Sequence, residues 1–207
     1  MAKIKPQCRL YLQFPMAPSA TFSNRLSQVL TEIDAACVLL YPEASAPGDD
    51  PIGLVDLVQR TGSACLIAND AELASRSGAE GVHIDADSLT YSETRERLGA
   101  NATIGAGCGL SRHDAMVLAE MGADYVAFGA QTAIDATDQR AELIAWWSEI
   151  FVVPCVAWNV ATPDEARRAA SLGADFVAPA LELSRSDEAV QRIAAIDRAI
   201  RQTWSVA

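Results

Sequence analysis

Asn69, Asp70, His83, Asp85 and Asp87 form the densest group of chemistry-bearing polar residues in the chain. They stand where two apolar runs give out: "ACLIAN" leads into Asn69-Asp70, and "GVHI" carries His83 and leads into Asp85 and Asp87. Carboxylates with an amide oxygen are hard donors of the kind that Mg²⁺ accepts. A magnesium ion held there could bridge to a pyrophosphate and stabilise it as it departs. A structural reading stands beside the chemical one. Asp70 would then cap the helix "AELASRSG", His83 would be a satisfied, half-buried histidine, and Asp85 and Asp87 would be solvated loop acids. His113, in the first turn of a helix, is expected to be exposed.

Other residues at the ends of apolar runs extend the inventory: Gln13, Tyr41, Glu43, Cys108, Gln131, Trp158, Asn159 and Glu182. Trp158 could floor a flat heterocycle or simply pack the core. The segment "GAGCGLSRHD" (105–114) is the only glycine-rich run end. Its Gly107 and Gly109 precede a helix start capped by Ser111, which makes it the best candidate for an anion nest. Arg112, Arg140 and Arg185 could lend positive charge or lie on the surface. The five cysteines form no CxxC pair and read as small buried hydrophobes in a reducing compartment.

These positions need a scaffold, and the pattern predicts one. Strand-like segments recur at 8–14, 36–41, 64–69, 81–84, 103–107, 125–129, 154–160 and 176–181. They are apolar without alternation, as suits strands buried on both faces. Helical faces lie between them: Leu26, Val29, Leu30 and Ile33 in one, Ile193, Ile196, Ile200 and Trp204 in another. Thr162 and Pro163 open a third helix, which closes at Gly173. "SRSGAEGVHI", "AEMGADYVAF" and "ASLGADFVAP" repeat one device, a helix ended by glycine and a return to the sheet through Ala-Glu or Ala-Asp. Eight such strand–helix units predict a single-domain (β/α)8 barrel with its site at the C-terminal strand ends. An open doubly wound sheet lacks support, because no strand leads into GxGxxG or a P-loop. "PEASAPGDDP" (42–51) is expected to be a loop over the barrel mouth.

A net charge of −11 argues against nucleic acid as a partner. The two lysines, Lys3 and Lys5, stand near the N-terminus, which excludes Schiff-base chemistry in the barrel. No apolar run has the length of a membrane span and no signal peptide is apparent, so a cytoplasmic location is expected. The paired Trp146 and Trp147 hint at helix packing or a homo-oligomer interface.

With these residues in place, "LYLQF", "LIANDAELASRSGAEGVHI" and "LAEMGADYVAFGA" resemble the thiamine phosphate synthase family, in strand order and spacing over nearly the whole chain. The resemblance implies a (β/α)8 barrel that joins hydroxymethylpyrimidine pyrophosphate to a thiazole phosphate, with Mg²⁺, and releases pyrophosphate. It also implies a small-molecule ligand of the pyrimidine or thiazole type. Carried over by position, Asn69 and Asp70 match the family's Asn-Asp, the aspartate being a metal ligand there. His83 matches as well. Asp87 stands where glutamate is usual, and Ser88 replaces the second metal-binding aspartate. The family's Gln-x-Arg-x-Lys, which grips the pyrophosphate, falls on Leu39, Tyr41 and Glu43. Its Ser-Thr-His falls on Cys108, Gly109 and Leu110, its Gly-Gly phosphate site on Asn159 and Val160, and its Thr-x-Thr-Lys loop has no clear equivalent in "AQTAIDATDQR". These matches, with Trp158 added from its strand-end position, give Asp70 and Asp87 as expected metal ligands. Asn69, His83, Cys108, Gly109, Trp158 and Asn159 become the expected substrate contacts. The lost cations predict poor synthase activity from a divergent member. The alternatives are a diverged barrel that binds a ligand or regulates, and, less supported because Leu110 replaces the histidine, a thiazole tautomerase.

Overall fold

The computed structural model describes residues 7–16, 20–42, 51–129 and 137–204. Eight parallel strands close into a barrel in chain order: β1 (Arg9–Met16), β2 (Ala35–Pro42), β3 (Ala64–Ala68), β4 (Gly81–Asp85), β5 (Thr103–Gly107), β6 (Tyr125–Phe128), β7 (Cys155–Val160) and β8 (Phe176–Pro179). The helices between them are α1 (Ala20–Glu32), α2 (Pro51–Gln59), α3 (Ala71–Ser77), α4 (Ser88–Leu98), α5 (Arg112–Glu120), α6 (Thr137–Ile150) and α7 (Pro163–Ser171). A short α8 (Leu181–Arg185) and a long α9 (Ala189–Trp204) follow β8. The barrel and its parallel sheet are those the sequence predicts. Most strand ends shift by one or two residues, and one shift has a clear cause. The segment 176–181 stops being a strand at Pro179, which has no N–H for the ladder, and the chain turns into α8. No described helix is long and apolar enough to cross a membrane.

Alternation along each strand sorts the core into two layers. One parity faces the helices, where Leu12, Phe14, Val38, Ile67, Ile104 and Val126 meet the apolar faces of α1 and α9 and their neighbours. The other parity fills the barrel with Tyr11, Leu39, Leu66, Tyr125, Val156 and Trp158. Glycine makes the second layer possible. A Cβ on Gly105 would stand 1.8 Å from Cζ of Tyr125, so only glycine on β5 admits that ring.

The repeated Gly-Ala-acid segment closes the barrel's lower end. Gly78, Gly122 and Gly173 take φ of 75°, 99° and 98°, the left-handed turn that glycine adopts at least cost. The alanine after each returns its N–H to the preceding helix: Ala79 to Ala74, Ala123 to Leu118, Ala174 to Ala169. The acid then clasps the start of an earlier strand from both sides. Its own N–H donates to a carbonyl (Glu80 to Cys65, Asp124 to Ile104, Asp175 to Cys155). Its carboxylate accepts the N–H of that same residue, at 2.7, 2.8 and 2.8 Å.

All five cysteines are buried, and none is in a disulfide. Trp147 is buried in α6, its indole N–H on the Val153 carbonyl and its ring stacked on Phe151, while Trp146 takes the Arg112 guanidinium on its face, 4.7 Å from the ring centroid.

Candidate functional site

A cleft of about 410 Å³ opens at the C-terminal strand ends, lined by Tyr41, Asn69, His83, Asp85 and Trp158 with Gly107, Gly109 and Gly129 between them. Its floor is the top of the barrel's inner layer. The rings of His83 and Trp158 stack with centroids 4.4 Å apart and planes within 7° of parallel. Trp158 packs in the barrel's inner layer and also lines the cleft.

His83 is buried, and Nδ1 lies 2.9 Å from the Tyr125 hydroxyl. That hydroxyl is in turn 2.7 Å from the Tyr11 hydroxyl. Burial drives the imidazole pKa down to about 3, so the ring is neutral across physiological pH. Gly107 leaves it room, since a Cβ there would come within 3.0 Å of His83 Nε2. The glycines of "GAGCG" therefore make space for rings inside the barrel, a use separate from the anion nest. Gly109 does lie on the cleft wall, with φ 54°, and Ser111 caps α5 as expected, taking the Asp114 N–H.

Asn69 and Asp85 hold each other across the ends of β3 and β4. The Asp85 N–H donates to Asn69 Oδ1 at 3.1 Å, and the Asn69 amide reaches Asp85 Oδ2 at 3.4 Å. Asn69 has φ 53°, a left-handed conformation that asparagine tolerates better than most residues. Asp70 and Asp87 cap α3 and α4, accepting the N–H of Leu73 at 2.8 Å and of Thr90 at 2.7 Å. The Thr90 N–H holds the Asp87 carboxyl below its ordinary range. Each cap is described through one carboxylate oxygen. Among the described residues, no three of His, Cys, Asp and Glu gather into a cluster that could hold a metal. Mg²⁺ usually keeps several waters and needs only one or two carboxylates beside substrate phosphates, so this donor set suits an ion shared with a diphosphate better than a resident one.

Cys108 and the arginines go elsewhere. Cys108 is buried in the helix-facing core with its thiol toward the Ala106 carbonyl, and burial pushes its pKa up to about 12. Arg140 is also buried. Its guanidinium donates to the carbonyls of Trp158 (2.8 Å) and Asn159 (3.2 Å) and pairs with Glu165 at 2.7 Å. It ties the end of β7 to α7, at a register irregularity of that strand where Asn159 has φ 58°. Arg112 lies on Trp146, and Arg185 is exposed on α8, whose Arg185 carbonyl takes Arg25. Among the described residues that line the cleft, none is an arginine or a lysine. Tyr41, where the resemblance implies an arginine, donates to Gln13 Oε1 at 2.9 Å, and the Gln13 amide donates to the Pro179 carbonyl. His113 is exposed, as expected. Glu43, Gln131, the 42–51 loop except its flanking Pro42 and Pro51, and the segment 130–136 lie outside the described residues.

Sequence reasoning did not single out Tyr11, Tyr125 or the anchoring role of Arg140. Strand parity carries a signal for the tyrosines: stepping back by two from Gln13 gives Tyr11, and the two-residue step that joins Gly107 to Gly105 places Tyr125 opposite it.

A family model described as thiamine monophosphate synthase matches residues 52–182. The chain is 41% identical over 181 residues to a thiamine-phosphate synthase of Rhodospirillum centenum, covering 83% of this chain and 86% of that one. A thiamine-phosphate synthase of Erythrobacter litoralis is 36% identical over 209 residues, covering 94% and 97%. In fold the chain is similar to a thiamine phosphate pyrophosphorylase from Pyrococcus furiosus, with a TM-score of 0.75 at 19% identity, over 93% of this chain and 96% of the other.

Proposed function

From the premise that the chain belongs to the thiamine monophosphate synthase family, we propose that it joins hydroxymethylpyrimidine pyrophosphate to a thiazole phosphate, slowly, in the cytoplasm. The observation that carries the reaction is the identity of 41% and 36% to thiamine-phosphate synthases over more than four-fifths of this chain. The pyrimidine sits on the floor formed by Trp158 and His83, and the Asn69–Asp85 pair borders it. Asp70, aided by Asp87, holds Mg²⁺. When bound, that ion supplies positive charge to the departing pyrophosphate.

The slow rate rests on the phosphate side. Leu39 is fully buried in the barrel, Tyr41 is engaged with Gln13, and Arg140 ties the end of β7 to α7. Each missing charge-assisted bond is worth about 1.5–3 kcal/mol. Two of them lower the rate by a factor on the order of 10² to 10⁴.

Incubating the purified chain at high concentration with both substrates, with and without Mg²⁺, tests this. Thiamine phosphate should form slowly and depend on the metal. No product above the enzyme-free background would defeat the assignment. Thermal stabilisation by unphosphorylated thiamine precursors alone would then favour a binding role. Product formed at full rate after chelation would remove the metal from the reading.

A further inference from the structure

Tyr11, Tyr125 and His83 come from β1, β6 and β4, and their polar ends meet inside the barrel with no charged group among them. The two contacts run in series, 2.7 Å between the phenol oxygens and 2.9 Å from Tyr125 Oη to His83 Nδ1. Both tyrosines are buried, at 2% and 6% exposure, so no bulk water competes. The ring is held sideways too, stacked on Trp158 with centroids 4.4 Å apart, while glycine at position 107 leaves the Nε2 edge uncrowded. We propose that Tyr11 and Tyr125 are positioning residues that fix the tautomer of His83, so that Nε2–H is presented to the cleft as a donor for an acceptor atom of the pyrimidine ring. The proposal rests on the synthase reading for the identity of that ring.

The direction follows from donor and acceptor strength. A phenol O–H is a better donor than an imidazole N–H, and an imidazole nitrogen is a better acceptor than a phenol oxygen. Tyr125 therefore donates to Nδ1, and its oxygen accepts the proton of Tyr11. The proton on the imidazole then belongs to Nε2. The donor so presented carries no positive charge. It reads the heterocycle and leaves the phosphates to other groups. Gly107 fits this role, because any side chain there would crowd the one edge that a ligand must approach.

The chain contains two histidines, His83 and exposed His113, so ¹⁵N-histidine labelling yields two readable ring systems. The wild type should show His83 as a single Nε2–H tautomer from pH 5 to 8. Tyr125→Phe keeps the ring stack and removes the hydroxyl. It should show both tautomers, a KM for the pyrimidine pyrophosphate raised about tenfold, the worth of one ordinary hydrogen bond, and little change in the KM for the thiazole phosphate. Tyr11→Phe should move the same readouts in the same direction by less, and it carries the test if Tyr125→Phe does not fold. An Nδ1–H tautomer in the wild type, an unmixed tautomer in both variants, or equal rises in the two KM values would overturn the proposal. A wild type that makes no thiamine phosphate but shows the expected spectra would overturn the synthase reading and leave the tautomer control standing.

Discussion

The two ends of the barrel treat their polar groups in opposite ways. At the lower end Glu80, Asp124 and Asp175 each spend a carboxylate and a backbone N–H on one residue of a neighbouring strand. At the upper end Asn69 and Asp85 border a cleft, and Asn69 and Asn159 hold left-handed backbone that glycine would adopt more easily. The lower end is built for closure. The upper end tolerates local strain so that groups can face a ligand. Stability and chemistry are thus allotted to opposite faces, and a change at one should leave the other readable.

Breaking the closed half gives the largest effect. Gly105→Ala places a methyl 1.8 Å from Cζ of Tyr125, where the barrel cannot yield, and should cost more than about 3 kcal/mol or prevent folding. A soluble variant with an unchanged melting temperature would show that the interior is looser than the packing implies. Asp124→Ala strips the Ile104 N–H of its carboxylate partner and the Arg95 guanidinium of one of its several acceptors, and should cost about 1–3 kcal/mol in chemical denaturation. Asp124→Asn keeps an acceptor and should cost less. A loss of turnover per folded molecule in either variant would blur the division between the two ends.

The pH response belongs to the upper half. His83 has its folded pKa near 3, against 6.5 unfolded, because burial disfavours the charged ring. The unfolded chain takes up a proton that the fold refuses. The contribution is therefore fully present above about pH 6.5 and is lost as pH falls toward 3, by about 1.4 kcal/mol per pH unit. Urea midpoints at pH 7 and 4.5 should fall more for the wild type than for His83→Gln, and parallel falls would assign the acid sensitivity to other groups. The smallest effect is a gain. Asn159→Gly should relieve the left-handed residue near the end of β7 by up to about 1 kcal/mol. It also supplies a glycine where the resemblance implies a phosphate site, so on the proposed function the synthase rate should rise slightly. A drop in both stability and rate would mean that the asparagine side chain earns its place.

Much of the fold can be read from the chain. Apolar runs without alternation mark buried parallel strands, and Gly-Ala-acid marks three turns, because a left-handed residue is costly for anything but glycine. The second task of those acids cannot be read, since it depends on which strand start the turn brings beside them. The candidate site is legible in the same uneven way. His83 faces the cleft because strand parity turns it inward beside Ala68, whereas Asn69, one residue past β3, joins the cleft wall through a left-handed backbone. The charge of Arg140 is visible in the sequence, but its destination is not. It ends on the Trp158 and Asn159 carbonyls because α6 lies against β7. That Gly105 and Gly107 make room for Tyr125 and His83 is likewise not visible in the sequence, because it depends on which rings the neighbouring strands bring beside them.

The three acid clasps also set an order of distances along the chain. Each joins residues only 15 or 20 positions apart, so the polymer surrenders little freedom to make them. The joint between β1 and β8 is of another kind: it pairs Arg9 with Phe176, and the Arg9 N–H reaches the carbonyl of Asp175, one of the three clasping acids. The ring therefore has a seam, and the residue that fastens the start of β7 also fastens the seam, so a long-range closure and a local clasp share one side chain and its backbone.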